Sequence, residues 1–166
     1  MTTQSPPKLP TPNLQALSAL EAAVRRDLEL TDYPLRQWVP ESKSKDNQKI
    51  LDVLIIGGGQ GGVTCAFGLM REKVNNILVI DENRECFEGP WLNFARMHTL
   101  RTPKHVTGPD LGLPNLTLRA WYEAQFGAEG WQNLRLLPKQ QWAEYLLWYR
   151  KLLKIPVQNE TTAGAI

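Results

Sequence analysis

An apolar run that leads directly into a glycine-rich loop is the feature that most constrains how this chain can fold. Residues 51–56 are Leu-Asp-Val-Leu-Ile-Ile, and the loop Gly57–Gly62 that follows has the spacing G-x-G-x-x-G. A second apolar run, Ile77–Ile80, ends in the acidic pair Asp81 and Glu82. A strand, a glycine loop, a helix and a second strand that ends in an acid form a dinucleotide-binding βαβ unit. The spacing therefore predicts a Rossmann-like α/β fold with a parallel sheet.

The glycines of this loop have different physical roles. Gly57 allows the chain to turn sharply after the strand, where a Cβ atom would clash. Gly59 allows the backbone to approach a pyrophosphate, and Gly62 allows the following helix to pack closely on the strand. We expect that helix to run from Gln60 to about Lys73. Its first N–H groups and its positive dipole end favour a bound diphosphate.

The acid at the end of the second strand is expected to accept hydrogen bonds from an adenosine ribose. The sequence leaves Asp81 and Glu82 open as alternatives for this role. An acid at this position suits NAD and FAD equally, so the motif does not distinguish the two cofactors. The cofactor-binding residues predicted from the motif are Gly57, Gly58, Gly59, Gln60, Gly61, Gly62, Asp81 and Glu82.

Composition and length favour a single soluble domain. The 166 residues are 42% hydrophobic with a net charge of +2, and their scattered lysines and arginines argue against a nucleic-acid partner. No apolar run reaches the ~18 residues of a membrane span. Cys65 and Cys86 suggest no disulfide framework, which favours the cytoplasm, and Cys65 is expected to be a buried packing residue. The two histidines and two cysteines lack metal-ligand spacing, so no metal site is expected.

Residues 1–49 form an N-terminal extension before the predicted cofactor domain at 50–166. Leucines at helical spacing predict an amphipathic helix of about fifteen residues, with Asn13 as its N-cap and an end before Pro34. We expect this helix to pack on the domain, with a subunit contact as the alternative. The polar stretch 42–49 then serves as a linker to the first strand.

Two further helices are predicted as an insertion before the next strand. Thr117 is the expected N-cap of a helix over Leu118–Phe126, and Gly127 is expected to end it. A second helix begins near Pro138 and carries an apolar stripe. Residues 155–157, Ile-Pro-Val, resemble the start of another strand.

Three segments of the chain resemble flavoproteins with two dinucleotide-binding domains, and among these the flavin-dependent monooxygenases. Val53–Gly62 is similar to their FAD-binding loop, and Asp81 or Glu82 is similar to their ribose-binding acid. Gly89-Pro90-Trp91 is similar to a Gly-Gly-x-Trp segment close to the flavin, although this chain has one glycine where that family has two. The resemblance implies FAD as the cofactor and places Trp91 near the flavin ring system.

The resemblance also implies a reaction class. It covers residues 50–160 and implies the FAD-binding portion of an NAD(P)H-dependent oxidoreductase, most specifically a monooxygenase of small organic molecules. In such enzymes NADPH reduces FAD, and the reduced flavin reacts with O2 to oxygenate the substrate. These flavoproteins are considerably longer and carry a second glycine loop for NADPH. We therefore expect an N-terminal fragment whose partner is either a C-terminal half or a second copy.

Two other functions remain open at this stage. An NAD-dependent dehydrogenase would use the same glycine loop, but it would continue with short βα units where this chain is irregular after Glu82. The other is a non-catalytic remnant or interaction module. No catalytic residue is identified. The resemblance places the loop with His98, Arg101, Lys104 and His105 near the flavin, where a positive group could stabilise the reduced flavin. The alternative, which we favour, is an ordinary polar loop with exposed histidines.

Overall fold

The computed structural model describes residues 11–34, 36–106 and 108–164, and within them the chain forms three strands and four α-helices. The first ten residues of the N-terminal extension lie outside this part. The strands are β1 (Val53–Ile56), β2 (Ile77–Ile80) and β3 (Val157–Gln158). The helices are α1 (Leu14–Leu30), α2 (Gln60–Arg71), α3 (Leu118–Asn133) and α4 (Lys139–Leu152). The predicted Rossmann-like α/β fold is confirmed in this partial form.

The strands form a parallel sheet in the order β1-β2-β3. The register pairs Val53 with Ile77 and Ile56 with Ile80, and α2 makes the connection between these two strands. β1 therefore covers only the last four residues of the run 51–56, and the N–H of Asp52 just before it donates to the carbonyl oxygen of Asn76 at 2.9 Å. Since the carboxyl ends of parallel strands meet at one edge of the sheet, the glycine loop lies beside the acidic end of β2.

Helix α2 follows the glycine loop directly, with Gly59 as its N-cap. Its buried face is formed by Val63, Ala66 and Phe67. The expectation that Cys65 is buried is wrong, since its side chain is exposed. At 100° per residue, Cys65 points away from the face that these three residues share.

Helix α1 packs against α3, as predicted for the amphipathic segment. Its N-cap is Asn13, whose side chain accepts a hydrogen bond of 3.1 Å from the N–H of Ala16. Val24 is fully buried at the centre of the helix. Asp27 accepts a hydrogen bond of 2.8 Å from Asn115, in the 3-10 turn before α3.

Helix α3 begins where the sequence predicted, and Gly127 interrupts it as predicted. The side chain of Thr117 caps it by accepting a hydrogen bond of 3.1 Å from the N–H of Ala120. Gly127 has a non-helical backbone with a φ of 76°, which ends the first helical segment, and a second helical segment continues to Asn133. This second segment was not predicted; its Trp131 is buried and packs against Tyr122 of the first segment.

Helix α4 supplies much of an aromatic core. Its residues Tyr145 and Tyr149 are buried, and their hydroxyls donate to the carbonyl oxygens of Leu116 and Pro109 at 2.9 and 2.8 Å. Burial raises the pKa of both tyrosines, and the nearby charge of Asp110 raises each pKa further. Both hydroxyls therefore remain neutral hydrogen-bond donors. None of the helices in the described ranges is long and apolar enough to cross a bilayer.

Candidate functional site

An open cleft of about 620 Å³ lies at the carboxyl ends of β1 and β2. This volume is within the ~300–1,000 Å³ range of small-molecule and cofactor sites. Its position is also the edge at which open α/β sheets bind ligands. The lining residues come from the glycine loop, the end of β2, the turn after it and the segment after β3: Ile56, Gly57, Gly59, Gly61, Gly62, Ile80, Asp81, Glu82, Asn83, Gly89, Pro90, Phe94, Thr161, Thr162 and Ala163.

The glycine loop is held tightly between β1 and α2. Gly57 has a φ of 103°, which favours glycine, and its N–H donates to the carbonyl oxygen of Ile80 at 2.7 Å. A Cβ atom on Gly62 would overlap the carbonyl oxygen of Gly57 and lie 3.0 Å from the carbonyl carbon. The helix therefore starts against the backbone of the loop, and only glycine fits at this contact.

The N-terminus of α2 opens into the cleft. The N–H of Val63 makes an early bond of the helix, to the carbonyl oxygen of Gly59 at 3.1 Å. The N–H groups of the preceding turn have no partner within the helix, and Gly61 and Gly62 of that turn line the cleft. Together with the helix dipole, these groups favour an anion such as a diphosphate. The residues present thus fit a dinucleotide.

The two acids at the end of β2 make different contacts. Asp81 is 7% exposed, and its carboxylate accepts a hydrogen bond of 2.7 Å from the N–H of Gly58. The other oxygen accepts from the N–H of Asn83 at 2.8 Å and from its side-chain amide at 3.0 Å. Glu82 is exposed at the cleft, and within the described residues its carboxylate accepts no hydrogen bond. Asp81 thus braces the glycine loop, whereas Glu82 is available to a ligand.

The structure brings six of the nine predicted cofactor residues to the cleft: Gly57, Gly59, Gly61, Gly62, Asp81 and Glu82. Gly58 is buried and does not line the cleft. Gln60 and Trp91 line an adjacent cavity of about 160 Å³. The indole of Trp91 packs edge-on against Trp142 at a centroid distance of 6.1 Å. Its buried Nε1 atom has no hydrogen-bond partner among the described residues.

The structure contains a buried ion-pair network next to the glycine loop, which the sequence analysis did not predict. Arg150 of α4 pairs with Glu88, and its guanidinium also donates to the side-chain oxygen of Asn159 at 3.0 Å. The amide of Asn159 donates to Glu88 at 2.6 Å and to the carbonyl oxygen of Asn83 at 3.0 Å. Glu88 lies close behind Gly58, because a Cβ atom there would be 3.2 Å from its Cγ. The network therefore supports the loop and the acidic end of β2 from behind.

The basic loop lies outside the 620 Å³ cleft, but its Lys104 lines the adjacent cavity together with Gln60 and Trp91. Lys104 also donates to the carbonyl oxygens of Trp131 and Leu134 at the end of α3, the second at 2.8 Å. His98 and His105 are exposed, and neither lines the cleft. For the two histidines, this exposure favours the ordinary polar-loop interpretation. In the described part of the chain, no three His, Cys, Asp or Glu side chains are grouped so that they could hold a metal ion.

Comparisons with known proteins agree with this geometry. A family model described as FAD-NAD(P)-binding matches residues 54–163. The FAD-dependent urate hydroxylase of Xanthomonas campestris pv. campestris is 49% identical to the chain over 146 residues. The match covers 88% of this chain and 31% of that relative, so the chain spans about a third of the relative's length. No solved structure matches the chain.

Proposed function

This chain belongs to the FAD-NAD(P)-binding family, and from that premise we propose that its cleft binds FAD. The observation that carries the proposal is the opening of the α2 N-terminus into a cleft that also contains the acidic end of β2. A diphosphate and an adenosine ribose are joined in FAD, and the two features that favour them share this one cavity. Similarity to a FAD-dependent urate hydroxylase supports FAD over NAD.

We assign a separate role to each part of the site. The first turn of α2 binds the diphosphate, and Gly57 and Gly62 give this turn its shape. Glu82 accepts hydrogen bonds from the adenosine ribose, and Asp81 holds the loop in position through the N–H of Gly58. Trp91 and Gln60 border the flavin end of the cofactor, where the buried Nε1 atom of Trp91 is available as a donor.

The reaction proposed for the whole protein is an NAD(P)H-dependent monooxygenation of a small organic molecule. Bound FAD would accept reducing equivalents from NAD(P)H and pass them to O2, while the protein binds the cofactor and excludes water. The relative's name makes urate the first substrate to test. Because the match covers 31% of that relative, we assign NAD(P)H and substrate binding to the whole protein and not to this cleft.

Within the chain, we assign cofactor binding to residues 50–166 and a supporting role to the extension 1–49. The packing of α1 on α3 supports that role for the extension. We propose that the protein is located in the cytoplasm, because neither Cys65 nor Cys86 forms a disulfide. For further partners we propose either a second copy or a C-terminal half.

Titration of the purified chain with FAD and with NADH, followed by visible absorption and calorimetry, tests this function. We expect FAD to bind and NADH to bind far more weakly. The Glu82→Gln variant should weaken FAD binding about tenfold without a change in thermal stability, because it removes a charged acceptor at the cleft. Glu85→Gln is the matched control, since Glu85 is an exposed acid of the same segment outside the cleft.

The other outcomes separate the alternatives. A colourless chain that binds NADH and not FAD would favour the NAD-dependent dehydrogenase. A folded chain that binds neither cofactor would favour the non-catalytic module. If Glu82→Gln and Glu85→Gln bind FAD as well as the unchanged chain does, the ribose role of Glu82 is wrong.

A further inference from the structure

A phenylalanine on the rim of the cleft has no role in the site described so far. Phe94 lines the cleft, and 73% of it is exposed. It is the only aromatic residue among the described residues that line this cavity. An aromatic ring gains little from such exposure, and it can bury a large apolar face when a planar ligand covers it.

The backbone that carries Phe94 is anchored through both polar groups of the next residue, Ala95. The N–H of Ala95 donates to the carbonyl oxygen of Pro90 at 2.9 Å and closes the turn that contains Phe94. Lys139 of α4 donates to the carbonyl oxygen of Ala95 at 2.6 Å. The ring is therefore presented to the cleft by an anchored turn, which lowers the entropy cost of a contact with a ligand.

The position of this turn identifies which part of a dinucleotide the ring would meet. The side-chain amide of Asn93 donates to the side-chain oxygen of Asn83 at 3.1 Å. Asn83 follows Glu82, for which we propose the adenosine ribose, and it also binds Asp81. Phe94 thus directly follows Asn93, whose side chain is hydrogen-bonded to the ribose end of the cleft. The base attached to that ribose is adenine.

Another part of the cleft lining at this end is polar and also anchored. The N–H of Thr161 donates to the carbonyl oxygen of Asp81 at 2.9 Å, and that of Glu160 donates to the carbonyl oxygen of Asn83 at 3.2 Å. Thr161, Thr162 and Ala163 line the same cleft as Phe94. A cleft lined by both an aromatic ring and a polar segment suits a flat base with hydrogen-bonding edges.

We propose that Phe94 stacks on the adenine ring of the bound dinucleotide and makes the site selective for adenine-containing ligands. This inference rests on the proposed function and names a residue of that same site. A stacked base contributes enough binding energy for its loss to be measured directly. The stacking needs no contribution from the flavin end of the cofactor.

Calorimetric titration of the chain with ADP and with FMN tests the stacking without the need for turnover. ADP carries the adenine, ribose and diphosphate, whereas FMN carries the flavin ring and no adenine. We expect Phe94→Ala to weaken ADP binding about tenfold or more and to leave FMN binding unchanged. Phe94→Tyr should retain ADP affinity, whereas Phe94→Leu should lose most of it because leucine has no aromatic face.

Met97→Ala is the matched control, since Met97 is an exposed apolar residue nearby that does not line the cleft. If the unchanged chain binds ADP and Phe94→Ala binds it equally well, the stacking is wrong while the proposed cleft stands. Equal losses for ADP and FMN, or full affinity in Phe94→Leu, also overturn it. An unchanged chain that binds neither FAD nor ADP overturns the proposed function itself.

Discussion

At the scale of single residues, the glycine loop combines two constraints that act on different atoms. Gly57 needs its positive φ, whereas Gly62 needs the absence of a Cβ atom at the backbone of Gly57. Gly61 lies between them in sequence, yet a Cβ atom there would meet no atom within 4 Å. The fold therefore requires glycine at some positions of the loop and not at others. The spacing of the glycines in the sequence does not distinguish the two kinds.

Replacing Gly62 with alanine should destabilise the fold and abolish dinucleotide binding. The added Cβ atom collides with rigid backbone, so we expect a loss of about 3 kcal/mol or more in the free energy of unfolding. Gly61→Ala is the control and should be neutral or slightly stabilising, because alanine favours the helix more than glycine does. Chemical denaturation of both variants makes the comparison. Equal stabilities for Gly62→Ala and Gly61→Ala would contradict the collision.

At the scale of the elements, capping groups set where the helices begin. Asn13 caps α1 and Thr117 caps α3, each through a side-chain oxygen that accepts from the N–H three residues later. Both caps were predicted from the sequence, because a capping side chain and the N–H that donates to it belong to one short segment. The prediction that Gly127 ends a helical segment is confirmed, whereas the second segment, in which Trp131 packs on Tyr122, was not predicted.

Removal of the α1 cap should have a small and specific cost. We expect Asn13→Ala to lower the free energy of unfolding by about 1 kcal/mol, whereas Asn13→Gly should lower it by only a few tenths of that. The measurement is thermal unfolding followed by circular dichroism. If the alanine and glycine variants are equally destabilised, the loss does not come from the cap.

The Glu88–Arg150–Asn159 network connects α4 to β3 and to the segment after β2. Arg150→Leu leaves the Glu88 carboxylate buried and unpaired, and we expect a loss of about 3–5 kcal/mol in stability. The double variant Glu88→Gln with Arg150→Leu should recover part of this loss, since no unpaired charge remains. Denaturant titration of the two variants measures this difference.

The nearby pair of Lys151 and Glu85 is the control for this prediction, because both of its side chains are at least half exposed. Lys151→Ala should change the stability by less than about 1 kcal/mol. A double variant that is less stable than Arg150→Leu alone would mean that the network acts through packing and not through charge.

At the scale of the whole molecule, the described residues leave the edge strand β1 partly exposed. β1 is an edge strand, with Leu54 and Ile56 50% and 61% exposed. Parallel sheets are usually buried on both faces, and open apolar edges promote association. We propose that the chain associates through β1.

Substitution of both exposed residues of β1 should reduce this association. We expect the double variant Leu54→Thr with Ile56→Thr to sediment as a smaller species with little change in melting temperature, because threonine suits a strand. Analytical ultracentrifugation across a concentration series is the measurement. Ile55→Thr is the control, since Ile55 packs against the core and its loss should lower the melting temperature. Unchanged association in the double variant would exclude this face as its cause.

The sequence by itself determined the βαβ unit, the family of the glycine loop and the two side-chain caps. Each is encoded by neighbours along the chain, where backbone geometry leaves few choices. Three features were decided only by the tertiary structure. Asp81 and Glu82 make different contacts, and Cys65 is exposed. Glu88 is hydrogen-bonded to Asn159, which lies 71 residues away in the sequence. These features depend on which faces meet once the sheet and helices pack. Short sequence patterns do not specify contacts between residues that are far apart in the chain.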